Sequence, residues 1–509
     1  MARISDWIRQ PANAVGIALI AVFALFYFGT IGDYGITWDE HANFLQGNDT
    51  INYLKTGEYA GVYVSEAKGD ATHGAWFFTI SDLFAKTFSS LPVDVSHHIP
   101  LGIISIGLLA IVYFFTLKQF GMLEAISATL ALGLFPQFIA HSHNNLKDPI
   151  MAFMYAATIL AFYSAYTKRT WKSFIFAGIL IGISFATKVV SFFIPVILII
   201  WMGWLFLSRK KLGEFYFPLA KLIGMSIIGL ITFFTFIPYL WRDFWEHLKV
   251  VLFWHAKDLN FVVPYAGQGY TMQTLPWHYT IVFLLVVTPM PFVIAGGIGL
   301  LKTIIHSLFG KNTFYKLLLI WFFVPWGKYA IAAILGKPFL IYDGMRHYLE
   351  VLVPVAILVG IGIRSIYTFA SKRVQMKQVV ACGIILAIIF VPVAIVDYQS
   401  HPYQVAFFNS FLGGTKGVQD SKWTRLVYWA EPLKESFTWI NKNAPQNSTV
   451  RVDAIHIANY YARKDLNLAP MESEGGDYII TYYDAGYPAV YKRDVLGGRV
   501  LSIYDIRKK

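Results

Sequence analysis

Residues 12–32 read ANAVGIALIAVFALFYFGTIG, a stretch without a charged side chain that is long enough to cross a bilayer as a helix. The rest of the chain has the same character, because 56% of its 509 residues are hydrophobic and only 14% are charged. Average soluble domains carry about one quarter charged residues. The composition therefore predicts a membrane protein and argues against a soluble enzyme or a disordered chain.

Further apolar stretches of similar length follow the first one. A spanning helix needs about 20 apolar residues, and on that criterion we predict about eleven transmembrane helices. The predicted spans are 12–32, 98–117, 123–141, 149–167, 173–188, 190–207, 216–238, 279–301, 315–335, 347–366 and 378–397. The only cysteine, Cys382, lies within the last span, so an intrachain disulfide is excluded.

The basic residues lie mainly in alternate connecting loops, which predicts the orientation of the chain. If the N-terminus is cytoplasmic, eleven spans place these groups on its side: Arg3, Arg9; Lys118; Lys168, Arg169, Lys172; Arg209, Lys210, Lys211; Lys302, Lys311, Lys316; Arg364, Lys372, Arg373, Lys377. The short loops on the opposite side are poor in basic residues, as the positive-inside rule requires. We therefore expect a multi-pass plasma (inner) membrane protein whose net charge of +12 reflects membrane orientation and not a nucleic-acid partner.

Two modules are predicted, an α-helical transmembrane module at 1–397 and a small soluble α/β domain at 398–509 on the extracytoplasmic side. The tail contains runs typical of strands and short helices, listed in chain order as helix 432–443, strand 449–455, helix 456–462, strand 478–483 and strand 500–506. The transmembrane module includes a long outer loop, 33–96. There Ala42, Leu45, Ile51 and Leu54 fall on one helical face, which favours a helix lying at the membrane interface.

The first candidate site is Thr37-Trp38-Asp39-Glu40, directly after the first span. Ionisable groups at membrane ends are costly to place, so they are candidates for function. A structural interpretation competes, since Thr37 with Glu40 three residues later forms a capping box at the start of a helix. That interpretation explains Glu40 well and Asp39 less well.

The second candidate site is the outer loop 141–149, which reads HSHNNLKDP. Asp148 before Pro149 is typical of a helix start, so a structural role is again available. His141, His143 and Asp148 could instead ligate a divalent cation, although His-x-His alone is weak evidence for a metal site.

The third candidate site is 343–348, DGMRHY, at the outer start of the tenth span. Arg346 and His347 lie where the amides of a helix start bind anions, and a phosphate fits that place. Lys188 and Arg242 add positive charge on the same side, although a single terminal Lys often snorkels to the interface. The outer face is thus predicted to be the working face.

These segments together resemble glycosyltransferase family 39, in the C-type superfamily of polyprenyl-phosphate-dependent enzymes. The resemblance rests on Thr-Trp-Asp-Glu after the first span, Lys-Asp-Pro at 147–149, Ala-Thr-Lys at 186–188, and Gly-Met-Arg-His-Tyr at 344–348 followed by Val-Pro at 353–354. The family contains protein O-mannosyltransferases and aminoarabinose transferases of lipid A. The chain departs from it in having fewer predicted spans than related enzymes and a tail unlike the lumenal domain of the eukaryotic mannosyltransferases.

The resemblance implies a mannosyltransferase-like hexosyltransferase that uses a polyprenyl-phosphate sugar donor. Asp39 would be the base that deprotonates an acceptor hydroxyl while the sugar transfers with inversion. The donor phosphate would be bound by Arg346, His347, Lys188 and Arg242.

The same resemblance assigns other residues to the acceptor side. Glu40, Asp148 and His143 would shape the acceptor site or bind a metal; no cofactor is certain, and the acceptor is a protein, lipid or glycan.

A secondary transporter of an anionic or lipid-linked solute is the alternative function. Transporters usually place charges near the midplane on broken helices, and they commonly contain repeated halves. Here the charges cluster at one surface and the halves do not repeat, which favours the enzyme.

The orientation can be tested by labelling a single introduced cysteine. In a background where Cys382 is replaced, Ser421→Cys should react with a membrane-impermeant maleimide in intact cells, because the tail is predicted outside. Reaction only after permeabilisation would show that the tail is cytoplasmic.

Overall fold

A computed structural model describes residues 10–63, 72–208, 216–253, 262–336, 341–373, 377–483 and 485–507. The basic residues Arg3, Arg9, Arg209, Lys210 and Lys211, used above for orientation, lie outside the described residues.

Most of the described chain is helical. The helices of the first half are α1 Pro11–Thr30, α2 Glu40–Thr56, α3 Ala75–Thr87, α4 Val93–Gln119, α5 Met122–Gly133, α6 Pro136–Asn144, α7 Asp148–Lys168, α8 Trp171–Thr187, α9 Ile194–Leu207, α10 Leu219–Phe236 and α11 Phe244–Phe253. A hairpin of β1 Val263–Tyr265 and β2 Gln268–Tyr270 follows. The later membrane helices are α12 Tyr279–Val287, α13 Met290–Phe309, α14 Thr313–Ile334, α15 Leu352–Ser371 and α16 Gln378–Ser400, and a 3₁₀ turn, Arg346–Val351, leads into α15.

The helix pattern is roughly consistent with the predicted number of spans. Nine helical segments of the described residues are long and apolar enough to cross a membrane, and the pair α5–α6, bent by 61°, brings the number to ten. With α8, an apolar helix of 17 residues, the total reaches the predicted eleven.

The predicted span 279–301 differs from the structure. Its apolar run is divided into α12 and α13 at Thr288 and Pro289, both of which have extended backbone angles. Proline lacks an amide hydrogen and disfavours a helical residue before it, so the helix ends there and a new one begins at Met290. The membrane-length segment is α13, while α12 lies beside the candidate site described below.

The outer loop contains the predicted helix, α2. Ile51 of the predicted apolar face is buried, whereas Leu45 is 44% and Leu54 is 55% exposed. The buried side of α2 packs on α3, where Gly47 lies against the carbonyl of Phe78. The two exposed leucines remain available for a membrane interface, and that position of the helix stays a prediction.

The tail folds as an α/β unit, as predicted. Its elements are α17 Gly414–Asp420, α18 Leu433–Asn443, β3 Thr449–Arg451, α19 Ile455–Ala458, β4 Asn467–Ala469, β5 Tyr478–Thr481, β6 Ala489–Val495 and β7 Gly498–Asp505. The strand order is β4-β3-β5-β7-β6, with β3 parallel to β4 and β5, and β7 antiparallel to β5 and β6. The edge strands β4 and β6 escaped sequence analysis because β4 is short and β6 carries three consecutive charged residues, at 492–494.

The tail is docked on the chain segment that leads to Asp39. Lys434 Nζ lies 2.6 Å from Asp94 Oδ2, the hydroxyl of Tyr461 accepts a hydrogen bond from the amide of Ile36, and the amide of Trp38 donates to the carbonyl of Trp429 at 3.0 Å. A single continuous hydrophobic core includes side chains of both the membrane helices and the tail. The tail therefore helps to fix the backbone beside Asp39.

The tightest helix contact joins α13 and α15 through small residues. A Cβ on Gly299 would lie 1.8 Å from the carbonyl oxygen of Leu358, and one on Gly362 would lie 1.8 Å from that of Ala295. In a membrane, such close backbone approach is a main source of helix association. This contact holds α15, and Arg346 lies in the 3₁₀ turn that leads into that helix.

We therefore expect Gly362→Val to lower the thermal unfolding temperature of the purified protein by several degrees, because backbone atoms must move apart to admit the side chain. Gly297→Val in α13 is a matched control, since its Cβ meets no atom within 4 Å. Equal unfolding temperatures for the two variants would show that the close contact does not stabilise the fold.

Candidate active site

Three of the segments singled out in the sequence meet at one end of the membrane helices. Asp39 precedes α2, Asp148 is the first residue of α7, Lys188 follows α8, and Arg346 opens the 3₁₀ turn before α15. The structure brings all four of these predicted site residues together. Lys147 and Asp343 join them, and the six side chains are here called the charge cluster: Asp39, Lys147, Asp148, Lys188, Asp343 and Arg346.

Arg346 is the centre of the charge cluster. Its Nη1 lies 3.5 Å from Asp39 Oδ2 and 3.9 Å from Asp148 Oδ2, and its Nη2 lies 3.2 Å from Asp343 Oδ2. The guanidinium also stacks on two aromatic rings, with its central carbon 4.8 Å from the ring centroid of Tyr342 and 4.5 Å from that of Trp429. Because Arg346 is only 2% exposed, these contacts fix its plane.

Two lysines complete the cluster. Lys147 Nζ lies 2.8 Å from Asp39 Oδ2, and Lys188 Nζ lies 2.5 Å from Asp148 Oδ1. Three cations therefore face three carboxylates, which is the balance that buried charges require. Neither lysine snorkels to the interface, because each is bound to a carboxylate.

The neighbouring charges set the protonation of the groups outside the membrane spans. Burial raises the pKa of Asp39, but Lys147 and Arg346 lower it by more, so the pKa of this carboxyl lies well below its usual range. At Asp343, burial raises the pKa by more than the positive charge of Arg346 lowers it, so the pKa of Asp343 lies above its usual value. Asp39 is therefore a carboxylate throughout the physiological pH range.

Asp148 is positioned by the turn that precedes it. Asn145 Oδ1 accepts hydrogen bonds from the amides of Lys147 and Asp148, and Asn145 Nδ2 donates to Asp148 Oδ2 at 2.7 Å. The start of α7 is thus capped by Asn145 and not, as the sequence suggested, by Asp148. The Asp148 side chain is left to bind Lys188 in the charge cluster.

Glu40 faces away from the charge cluster. Its Oε1 lies 2.8 Å from His98 Nε2, and its Oε2 accepts hydrogen bonds from the amide and the hydroxyl of Thr37. Burial raises the pKa of Glu40, against the influence of His98. Only one half of the predicted capping box is formed, the bond from the Thr37 amide to Glu40, because the helix begins at Glu40 itself; Glu40 does not line the cavity at Asp39.

The two histidines of the loop 141–149 do not converge with Asp148. His143 stacks between Tyr27 and Tyr34, and its ring nitrogens contact the Ile139 carbonyl and the Thr30 hydroxyl. His141 lies between Asn145 Nδ2 at 3.2 Å and the Tyr428 hydroxyl at 3.4 Å.

His141, His143 and Asp148, considered above as possible metal ligands, therefore do not form a common site. Within the described ranges, no group of three or more His, Cys, Asp or Glu side chains has the arrangement of a metal site. The carboxylates of the charge cluster also do not fit a divalent cation, because Lys147, Lys188 and Arg346 already lie against them.

The remaining predicted phosphate ligands lie in different places. His347 follows Arg346 directly and packs edge-on against Tyr342. Arg242 contacts the carbonyl of Gly57 and the rings of Tyr53 and Tyr59, so it ties two outer loops together. The structure does not bring Arg242 to the charge cluster.

A cavity of about 260 Å³ opens beside the charge cluster. Asp39, Asp343 and Arg346 line it from the membrane module, and α12 contributes apolar side chains. The tail supplies the opposite wall through Thr424, Arg425, Tyr428 and Trp429. Sequence analysis missed these tail residues, because nothing in their local pattern marks them as neighbours of Asp39.

A family model confirms the resemblance drawn from the motifs. Residues 73–239 match the family described as dolichyl-phosphate-mannose-protein mannosyltransferase. No curated protein sequence matches the chain significantly.

Solved structures share the fold. The apo oligosaccharyltransferase of Archaeoglobus fulgidus is 12% identical and aligns with a TM-score of 0.53 over 93% of this chain and 70% of its own. ArnT from Cupriavidus metallidurans aligns over 97% of this chain and 98% of its own in the apo state, at 11% identity and a TM-score of 0.53. ArnT bound to undecaprenyl phosphate aligns over 96% of this chain and 97% of its own, at 10% identity and a TM-score of 0.51.

At these identities the structural comparisons establish a common fold. The described residues thus contain several helices of membrane-spanning length and share the fold of these two proteins.

The central position of Arg346 predicts a large effect on stability. Arg346→Ala should destabilise the protein by about 3 kcal/mol, because the buried Asp148 and the partly exposed Asp39 and Asp343 lose their shared cation. We expect a clear fall in the thermal unfolding temperature in detergent, partly restored in Arg346→Lys, which keeps the charge without the planar fork.

Arg364→Ala on α15 is the matched control. Its side chain is 46% exposed and lies 3.7 Å from Glu124, so its loss should cost less than about 1 kcal/mol. Similar unfolding temperatures for the Arg346 and Arg364 variants would contradict the central role of Arg346.

Proposed function

We propose that this chain, which matches the dolichyl-phosphate-mannose-protein mannosyltransferase family over residues 73–239, transfers a sugar from a polyprenyl-phosphate-linked donor to an acceptor hydroxyl. The observation that carries the proposal is that one cavity is lined by both Asp39 and Arg346. A carboxylate that can receive a proton thus faces the same space as a cation that can bind a phosphate.

The donor side of the proposal rests on Arg346. Its guanidinium lies against the rings of Tyr342 and Trp429, and its Nε has no hydrogen-bond partner among the described residues. Arginine binds phosphate through several N–H groups at once, and a fixed plane reduces the entropy lost on binding. ArnT, which shares the fold, has been solved with undecaprenyl phosphate bound, and this favours a lipid phosphate as the ligand.

The contact of Arg346 with Asp39 is looser than its 3.2 Å ion pair with Asp343. Its distance to Asp39, 3.5 Å, is longer than the 2.8 Å between Asp39 and Lys147. Lys188, with His347 adjacent to Arg346, would strengthen the positive field at the phosphate while keeping Asp148 in place.

The acceptor side of the proposal rests on Asp39. In the proposed step the acceptor oxygen forms a bond to the anomeric carbon while the bond from that carbon to the phosphate oxygen breaks, and the phosphate keeps the electron pair. A single displacement of this kind inverts the anomeric centre. The proton of the acceptor hydroxyl passes to Asp39.

The low pKa of Asp39 makes it a weak base for a free alcohol. The hydroxyl becomes far more acidic as its oxygen bonds to the electron-poor sugar carbon, so proton transfer late in the step suits a carboxylate of low pKa. Lys147 keeps Asp39 ionised until then.

We place the reaction on the extracytoplasmic face. The basic loops support an orientation in which the ends of the helices that carry Asp39, Asp148 and Arg346, and the tail docked on them, lie outside. The acceptor would be a protein, a lipid or a glycan that reaches the cavity from that side.

The proposal is tested by following sugar from a radiolabelled polyprenyl-phosphate donor in purified wild-type protein. Asp39→Asn should reduce transfer by about a hundredfold or more, because an amide keeps the shape but cannot accept the proton. Donor binding should persist, since Arg346 is unchanged.

Asp33→Asn provides the matched control, because Asp33 lies in the same connector and its side chain is 54% exposed. It should retain transfer within about twofold. Near wild-type transfer by Asp39→Asn would leave Asp39 only a structural partner of Lys147 and Arg346.

A further inference from the structure

Arg425 is the cation of the cavity that the charge cluster does not neutralise. It lines the same cavity as Asp39 and Arg346, but it comes from the tail. The three carboxylates of the charge cluster are paired with Lys147, Lys188 and Arg346, as described above. No carboxylate lies within ion-pair distance of Arg425 in the described parts of the chain, although Asp343 and Asp453 are near enough to feel its charge.

The segment around Arg425 is fixed in place. The Thr424 hydroxyl donates to the carbonyl of Pro264 at 2.9 Å, and the Trp423 carbonyl accepts from the amide of Gly267 at 3.3 Å. The Trp423 ring packs 5.1 Å from that of Tyr265 and 5.2 Å from that of Phe283, measured between ring centroids. The β1–β2 hairpin and α12 therefore hold the backbone of Arg425 at the edge of the cavity.

The charged side chains that line the cavity indicate which class of ligand it can bind. The three cations and three carboxylates of the charge cluster are balanced, so Arg425 adds a positive charge that has no direct ion-pair partner among the described residues. A lipid phosphate linked to a sugar is a phosphodiester with a single negative charge. When its bond to the sugar breaks, the phosphate oxygen keeps the electron pair and the phosphate gains a second negative charge, which a further cation stabilises.

We propose that Arg425 is a second phosphate-binding residue, through which the tail takes part in binding the lipid donor and its phosphate product. This inference rests on the proposed function. Arg346 would hold the phosphate from the membrane module, and Arg425 would approach it from the tail. The tail is then one wall of the donor site and not an appended domain.

The test measures binding of radiolabelled undecaprenyl phosphate to the full-length protein in detergent, without any acceptor. Arg425→Gln should raise the Kd about three- to tenfold, as expected for one solvent-exposed charge contact, and Arg425→Lys should restore part of the affinity. The difference from wild type should shrink at high salt, because exposed charges are screened.

Lys422→Gln is the matched control. It removes the same charge from the same exposed segment, but Lys422 does not line the cavity. It should change the Kd less than twofold, since only the general field of the protein is altered. Equal affinities for Lys422→Gln and Arg425→Gln would overturn the inference.

Two further outcomes distinguish a donor-binding role of Arg425 from a role at the acceptor. If Arg425→Gln binds undecaprenyl phosphate normally but shows a higher KM for the acceptor in transfer assays, the charge serves the acceptor and the donor assignment is wrong. If wild-type protein binds no undecaprenyl phosphate, the proposed function itself fails, and the inference fails with it. Normal binding by wild type together with normal binding by Arg425→Gln rejects the inference alone.

Discussion

The contact between the buried Arg346 and three carboxylates is the interaction on which the site depends. Charges removed from water must be neutralised locally, and here Asp39, Asp148 and Asp343 share one guanidinium. The three carboxylates come from different parts of the chain, so the site exists only when the adjoining ends of several helices are correctly assembled. The close packing of α13 on α15 stabilises that assembly from within the membrane.

The same requirement explains why the tail is docked so firmly. A guanidinium at the membrane surface would otherwise expose one face to water and gain rotational freedom. The ring of Trp429 covers that face. The carbonyl of Trp429 accepts a hydrogen bond from the amide of Trp38, the residue before Asp39. One tail residue thus links the position of Asp39 to the position of Arg346, which makes the tail part of the site's geometry.

Sequence patterns predicted the features that arise from local chemistry. Apolar length indicated the helices of the membrane module, and the motifs around Asp39, Asp148 and Arg346 marked segments that meet in the structure. Pairings across long separations were not predictable from the sequence. Lys147 pairs with Asp39, 108 positions away, and not with Asp148, its neighbour in the chain. No local feature indicated that Asp148 would pair with Lys188. Arg242 is the opposite case. Its position in the sequence predicted a phosphate ligand, but its side chain binds the carbonyl of Gly57 in another loop.

The neutrality of the charge cluster also bears on the order of events in the proposed reaction. Before the donor binds, Lys147 and Arg346 hold the pKa of Asp39 low, and the carboxylate is a poor proton acceptor. A phosphate beside Arg346 would bring a negative charge close to Asp39, and a negative neighbour raises the pKa of a carboxyl. Asp39 would become a better base when the donor is bound, and better still as the departing phosphate gains its second charge. Base strength would then rise when the acceptor proton must be taken up, because the base and the phosphate share the same cation.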